Sequence, residues 1–279
     1  GVAEPLVTSI GGNGTLQLLH AQSGQHVTID FYGRAPIAAT AEMWKDLVVQ
    51  RLPADMWQLE GLINQVGYLA VTVPGTLMAL HEASSKYGRL PWPELVRPSI
   101  DLAKRGYSTP GEQEEQWTRN ANTGYASANE ILNSTPASKK IFTRDGNPIQ
   151  TGEHFSMPDY ASTLEIIAEE GPDALYKGDI GKIIAKDFSE NGGLITEQDL
   201  RSYRLRIGQP IKSDYRGYQI CGNQPPGSGY QIIETLNILE GYDLDNLGFG
   251  TPEYCHVMAQ AQRAGFYDRA KYLADPDFV

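Results

Sequence analysis

The chain has 279 residues, of which 41% are hydrophobic and 20% charged, a composition typical of a globular protein long enough to bury a core. It carries 34 acidic and 23 basic residues, a formal net charge of −11. This acidic balance argues against nucleic acid and against anionic membrane surfaces, because both are bound through a basic face. No apolar run approaches the ~20 residues that span a bilayer.

The first part of the chain is predicted to be β structure over residues 6–36. Strands over 15–21 and 26–31 flank Gln22–Gln25, where a glycine permits the positive φ of a hairpin turn. Before them lies Gly11–Gly14, which has neither the lysine of a phosphate loop nor the following helix of a dinucleotide-binding motif. We interpret this stretch as a tight crossing in a packed sheet.

From residue 75 the spacing of apolar residues is helical. It predicts helices over 76–87, 93–105, 112–120, 162–170, 178–191, from 196, 232–239 and 252–272. At the start of the helix from 196, Thr196 and Asp199 have the spacing of a capping box. Residues 121–160 are rich in Asn, Ser, Thr, Gly and Pro and are predicted to form loops with one short helix. A second hairpin is predicted from 211–215 and 218–221. Without an internal repeat or a low-complexity linker, residues 1–279 are predicted to form one α/β domain.

The residues by themselves nominate no complete catalytic set. None of the five histidines has a plausible acid partner at motif spacing. Ser228 lacks the surrounding sequence of a serine-hydrolase nucleophile and is interpreted as a helix cap. Cys221 and Cys255 lack metal-site spacing and are interpreted as buried apolar residues. We therefore predict no metal, no cofactor and no catalytic residue in this chain.

The stretch Asp30–Pro36 ends a predicted strand and opens a turn. It places Tyr32, Gly33 and Arg34 where the backbone stops pairing. Loops at such points on a rigid sheet aim side chains at a pocket. Tyr32 and Arg34 are the predicted binding residues, against the alternatives of a packed aromatic for Tyr32 and a surface cation for Arg34.

A series of short motifs runs through nearly the whole chain. In order, they are Glu4-Pro5 with Ile10–Gly14, Val73–Thr76, Gly171–Gly178, Gly192–Thr196 with Asp199-Leu200 and Tyr203, Tyr215–Tyr218, Pro225–Gly229, Leu236–Glu240, Asp268-Arg269, Tyr272-Leu273 and Asp275–Val279. Each motif is weak alone, but this order is specific. The series resembles the large-subunit portion of the γ-glutamyltranspeptidase family.

The resemblance implies a four-layer αββα N-terminal nucleophile hydrolase fold, of which this chain is the large-subunit part. It implies a precursor that cleaves itself, and a partner small subunit whose N-terminal threonine attacks a small-molecule amide, with its own α-amine as base. The nucleophile is then expected outside this chain. We also interpret the chain as part of a longer polypeptide, because it has no initiator methionine and its first residues read like the end of a helix. Localisation, periplasmic, secreted or cytoplasmic, stays open.

The chain departs from the family at the turn. The family's usual sequence there is Arg-Glu-x-Ala-Pro, and the arginine binds the α-carboxylate of the γ-glutamyl group through a bidentate pair. Here Tyr32 stands at the arginine, Gly33 at the glutamate, and Arg34 two positions on. We therefore predict an amidase or acylase that acts on a γ-glutamyl or similar small carboxylated acyl group. The alternatives are an oxamate amidohydrolase-like or cephalosporin acylase-like enzyme, and an inactive relative that serves as a binding or scaffold protein.

Overall fold

The structure is a computed structural model that describes residues 1–52 and 56–278. Val279, the last residue of the motif series, lies outside the described residues. The strands are β1 (Gly14–His20), β2 (Gln25–Phe31), β3 (Val48–Arg51), β4 (Trp57–Leu59), β5 (Tyr107–Ser108), β6 (Thr143–Arg144), β7 (Asn147–Pro148), β8 (His154–Phe155), β9 (Arg206–Gly208), β10 (Ile211–Tyr215) and β11 (Tyr218–Gly222).

Helices occupy most of the remaining chain. They are α1 (Thr76–Tyr87), α2 (Trp92–Arg105), α3 (Gly111–Thr118), α4 (Ala128–Leu132), α5 (Pro136–Phe142), α6 (Pro158–Glu170), α7 (Asp173–Tyr176), α8 (Asp179–Glu190), α9 (Glu197–Ser202), α10 (Gly229–Glu240), α11 (Leu244–Leu247) and α12 (Pro252–Tyr272). The chain divides into a first unit, residues 1–13 and 32–204, and a second unit, residues 14–31 and from 205 onward.

The second unit contains a three-stranded antiparallel sheet in the order β1-β2-β9. Its first hairpin aligns Gly14 with Phe31, close to the prediction. On the other side of β2, Asp30 is opposite Arg206 in the register. The Arg206 guanidinium donates to Asp275 at 2.8 Å and contacts the Asp277 carboxylate, so the segment after α12 is tied to this sheet.

The first unit is built around an aromatic cluster. The Trp117 side chain, 1% exposed, lies edge-on to Phe155 with ring centroids 5.3 Å apart, and Phe142 lies 5.8 Å from both. Apolar side chains from α4 and α6 are buried in the same unit. Burial of large aromatic rings such as Trp117 and Phe155 stabilises this unit.

The glycine-rich stretch before β1 packs against a helix rather than within a sheet. The backbone N–H groups of Gly75 and Thr76 donate to the Gly12 carbonyl at 3.0 and 3.1 Å, which satisfies two of the unpaired donors at the start of α1. A Cβ on Gly12 would lie 3.0 Å from the Thr76 hydroxyl oxygen. The predicted close backbone approach is therefore present, but the prediction of β structure over 6–13 is wrong, because these residues form turns and irregular structure.

The prediction of one short helix between residues 121 and 160 is also wrong. The structure has α4 and α5 in this range, and each begins at a residue whose side chain caps the helix, Ser127 and Thr135. Between β6 and β7, Asp145 and Gly146 both have positive φ, as a tight two-residue hairpin turn requires.

Other element predictions agree with the structure. Helices α1 and α12 have the predicted bounds, and α9 begins with the predicted capping box of Thr196 and Asp199. Ser228 occupies the N-cap position of α10, although its hydroxyl makes no capping hydrogen bond. Cys221 and Cys255 are free thiols. Cys221 is half-buried and Cys255 is exposed, so the interpretation of both as buried residues is wrong.

Helices α10 and α12 bring two carboxyl groups together. A Cβ on Gly265 of α12 would lie 2.7 Å from the Thr235 hydroxyl of α10, so the helices approach closely. Burial, together with a hydrogen bond and charge repulsion from Asp268, holds the pKa of Glu234 above its usual value. The folded state therefore binds this proton more tightly than the unfolded state. Its contribution to stability is complete below the unfolded pKa and is lost as the pH rises through the folded pKa.

Glu234→Gln is expected to raise the melting temperature near pH 7, because it removes the repulsion with Asp268. The gain should be smaller than about 1 kcal/mol, since both groups are partly exposed. Thermal unfolding from about pH 4 to about pH 8 measures it. Asp214→Asn, at an exposed carboxyl on β10, is the control. An equal pH dependence in the Glu234 variant and the parent protein would contradict the prediction.

Candidate functional site

The segment Tyr32–Ile37 leaves β2 directly after Phe31 and lies in the first unit. Tyr32 and Arg34 are half-buried, whereas Ala35 and Ile37 are exposed. Pro36, between them, is buried and packs into the protein. The conformation of the segment depends on this burial, on hydrogen bonds and on one close backbone approach.

Arg34 is fixed through its backbone. Its N–H donates to the Val73 carbonyl at 3.1 Å, and the Val73 N–H donates back to the Arg34 carbonyl at 2.8 Å, which is an isolated antiparallel bridge. Val73 is 2% exposed. The next carbonyl, that of Pro74, accepts a hydrogen bond of 2.8 Å from the buried Tyr176 hydroxyl. The Arg34 side chain thus begins at a backbone position that packed structure holds in place.

Gly33 is required by a close approach rather than by its φ. A Cβ at this position would lie 2.8 Å from the Cβ of Thr72 and closer still to the Thr72 hydroxyl. Real Cβ atoms essentially never approach another heavy atom so closely. Thr72, which precedes the bridge partner Val73, therefore leaves no space for a side chain at position 33.

Helix α9 and the residue after it bind both ends of the segment. The Tyr203 hydroxyl donates to the Tyr32 carbonyl at 2.9 Å, and the Ile37 N–H donates to the Asp199 carboxylate at 2.6 Å. Asp199 is predicted from the sequence as a capping residue and Tyr203 belongs to the motif series, but neither of these contacts is predicted. The signal was their separation by four positions, which places side chains on one helical face.

The Tyr203 ring is part of a buried aromatic pair. It stacks on Tyr176 with ring centroids 5.7 Å apart and an interplanar angle of 20°. Burial raises the pKa of the Tyr176 phenol well above its ordinary value. Its hydroxyl donates to the Pro74 carbonyl. The pair links the backbone at Tyr32 to the backbone at Pro74, the residue after the bridge partner Val73.

The predicted site residues thus lie in one anchored segment of the first unit. It carries a guanidinium and a phenol two positions apart, which are one cationic and one neutral hydrogen-bond donor for a carboxylate. A groove of about 520 Å³ elsewhere in this unit, between α8 and α9, is lined by neither residue. Whether Tyr32 and Arg34 contact a substrate stays a prediction.

Among residues 1–52 and 56–278, no group of three or more His, Cys, Asp or Glu side chains is arranged to hold a metal ion. In the same part of the chain, no helix is both long enough and apolar enough to cross a membrane.

Comparison with known proteins places this site in a family context. A family model described as Gamma-glutamyltranspeptidase matches residues 1–279. The Acylase ACY 1 proenzyme of Pseudomonas sp. (strain SE83) is 40% identical over 283 residues, covering 100% of this chain and 48% of that protein. The Glutathione hydrolase proenzyme of Escherichia coli (strain K12) is 37% identical over 279 residues, covering 100% of this chain and 45% of that protein. The chain thus spans about half the length of the curated relatives it matches.

Among solved structures, Helicobacter pylori gamma-glutamyltranspeptidase superposes with a TM-score of 0.88 at 34% identity, covering 100% of this chain and 75% of that chain. The predicted fold class, mixed helix and strand of the N-terminal nucleophile hydrolase type, is confirmed by this likeness. The ordered motifs, the fold and the match over every residue lead to one conclusion: this chain belongs to the gamma-glutamyltranspeptidase family.

Proposed function

We propose that this chain is the large subunit of an autoprocessed amide hydrolase or acyltransferase. Its partner is a small subunit from the same precursor, and the two together form one domain. The match to about half of each proenzyme relative supports this division. The first residue of the companion chain tests it. A threonine there is the expected result, and another residue would favour an inactive relative that serves as a binding or scaffold protein.

The proposed reaction is acyl transfer through a covalent intermediate. The hydroxyl of the partner's threonine attacks the amide carbonyl, and its proton passes through the α-amine to the departing amine. The C–N bond breaks, and an ester to the threonine forms. Water or an acceptor amine then releases the acyl group and restores the hydroxyl. In this scheme the present chain binds the acyl group.

Tyr32 is the observation that carries the proposed acyl specificity. It stands where the family resemblance puts a carboxylate-binding arginine, and Arg34 supplies a cation two positions later. In this proposal the side chains of Tyr32 and Arg34, two positions apart, bind the same acyl carboxylate. The enzyme then accepts small carboxylated acyl groups and is not confined to γ-glutamyl. The similarity to an acylase supports this reading.

A substrate panel tests the proposed specificity. The mature two-subunit enzyme would be assayed with a γ-glutamyl anilide, with oxamate and with a glutaryl amide. We expect kcat/KM for oxamate or the glutaryl amide to equal or exceed that for the γ-glutamyl compound. A strong γ-glutamyl preference that changes at Tyr32 and Arg34 do not affect would overturn the proposal.

Tyr32→Arg is expected to raise kcat/KM for the γ-glutamyl anilide by about tenfold, ~1.4 kcal/mol, because a charged bidentate donor replaces a neutral one. Values for the glutaryl amide should rise less. Tyr32→Lys adds the charge without the planar fork and should give a smaller gain. If arginine and lysine have equal effects, long-range charge rather than bidentate binding is the cause.

A further inference from the structure

The segment Tyr32–Ile37 is held at its two ends by side chains that lie one helical turn apart. The Tyr203 hydroxyl reaches its first carbonyl at 2.9 Å, and Asp199 accepts from its last N–H at 2.6 Å. Arg34 lies between these two attachment points. The backbone path that sets the relative positions of Tyr32 and Arg34 is therefore constrained from both ends by α9 and the residue that follows it.

The Asp199 carboxylate divides its oxygens between two tasks. Oδ2 accepts from the backbone N–H of Thr196 at 2.8 Å and from its hydroxyl at 2.5 Å, which completes the capping box. Capping needs only that oxygen, and Oδ1 is directed to Ile37. Asp199 is 3% exposed, so both oxygens must be satisfied inside the protein. The Ile37 side chain is 67% exposed, so this contact serves the backbone path and not the packing of Ile37.

Tyr203 is located by its ring, independently of its hydroxyl. The side chain is 2% exposed and stacks on Tyr176. Its hydroxyl then donates to the Tyr32 carbonyl. Phenylalanine at this position would keep the stacking and remove the hydrogen bond to Tyr32. The contact can therefore be tested with the aromatic packing left in place.

We propose that Asp199 and Tyr203 are positioning residues for acyl-group recognition, which they serve by fixing the path of the chain between Tyr32 and Ile37. The inference rests on the proposed function, in which Tyr32 and Arg34 bind the acyl carboxylate. Neither Asp199 nor Tyr203 contacts substrate in this scheme. Their loss widens the distribution of Arg34 positions and weakens acyl binding without altering the partner's nucleophile.

The test measures steady-state kinetics of Tyr203→Phe and Asp199→Asn in the mature two-subunit enzyme. Loss of the one hydrogen bond is expected to raise KM for the glutaryl amide about fivefold, with kcat within about twofold of the parent value. Asparagine has a single acceptor oxygen, so Asp199→Asn leaves either Ile37 or Thr196 without its acceptor and should raise KM at least as much.

Two matched variants separate positioning from general stability. The Tyr107 hydroxyl also donates to backbone carbonyls, those of Val2 and Ala3, and its ring packs against Phe155. Glu130 is a capping-box carboxylate on α4. Tyr107→Phe and Glu130→Gln should lower the melting temperature as the test variants do, yet leave KM and kcat unchanged.

Each outcome decides a different point. If Arg34→Gln raises KM for the glutaryl amide and Tyr203→Phe does not, the positioning role is overturned and the proposed function stands. If Tyr107→Phe raises KM as much as Tyr203→Phe, the effect is one of stability and the positioning role fails. If KM is unchanged in both Arg34→Gln and Tyr203→Phe, the proposed acyl site and the positioning role both fail.

Discussion

Arg34→Gln is expected to lower kcat/KM for a glutaryl amide by roughly 30-fold or more. Leaving a bound carboxylate without its charged partner typically costs ~2–5 kcal/mol, and 1.4 kcal/mol is a factor of about ten. The two backbone hydrogen bonds between Arg34 and Val73 do not involve the side chain, so the substitution leaves this bridge in place. The melting temperature of the variant, measured beside kcat/KM, separates a loss of substrate binding from a loss of stability.

Three comparisons make this result specific. Arg34→Lys keeps the charge without the guanidinium fork and should lie between the parent and the glutamine variant. Arg105→Gln, at an exposed arginine at the end of α2, changes the net charge equally and should have no effect. An anilide with an uncharged acyl group should be hydrolysed equally by the parent and by Arg34→Gln. Equal losses on charged and uncharged acyl groups would show that Arg34 does not bind the acyl carboxylate.

The local part of the fold could be predicted from the sequence because its signals are local. Helix α1 ends before Gly88, and α9 begins with a threonine and an aspartate at capping-box spacing, so neither depends on distant contacts. The short elements between residues 121 and 160 were missed for a different reason. Asp145 and Gly146 form a turn with positive φ at both residues, but the strands that it joins have two residues each, too few to show alternation.

The candidate site could be predicted only at the turn itself. Tyr32 and Arg34 stand out because they replace a known pattern, whereas Asp199, Thr72 and Val73 act on the segment from distant positions in the sequence. The contact between Asp199 and Ile37 joins residues 162 positions apart, which no spacing rule addresses. The capping box accounts for the hydrogen bonds of Asp199 Oδ2, so the capping pattern in the sequence does not indicate that Oδ1 has a distant partner.

Gly33→Glu, which introduces the residue found at this position in the family resemblance, is expected to destabilise the protein by about 3 kcal/mol. The new Cβ would lie 2.8 Å from the Cβ of Thr72, and both atoms are fixed by the backbone, so no rotation of either side chain relieves the contact. The backbones cannot separate without cost, because the next residues, Arg34 and Val73, are joined by two hydrogen bonds. Thermal unfolding should show the loss, and kcat/KM should fall with it.

The contact between a side chain at position 33 and the Cβ of Thr72 also predicts which second substitution should restore stability. Thr72 is exposed, so Thr72→Gly alone should cost little, and adding it to Gly33→Glu should restore most of the lost stability because it removes the Cβ that blocks position 33. Thr72→Ser keeps that Cβ and should not restore it. A double-mutant cycle measures the coupling, and residues in direct contact commonly couple by about 0.5–3 kcal/mol. If glycine and serine at position 72 rescue equally, the contact with the Thr72 Cβ is not what excludes a side chain at position 33.

If only glycine restores stability, Gly33 and Thr72 form a matched pair. The Arg-Glu turn can then be rebuilt in this chain only with three changes made together, at positions 32, 33 and 72.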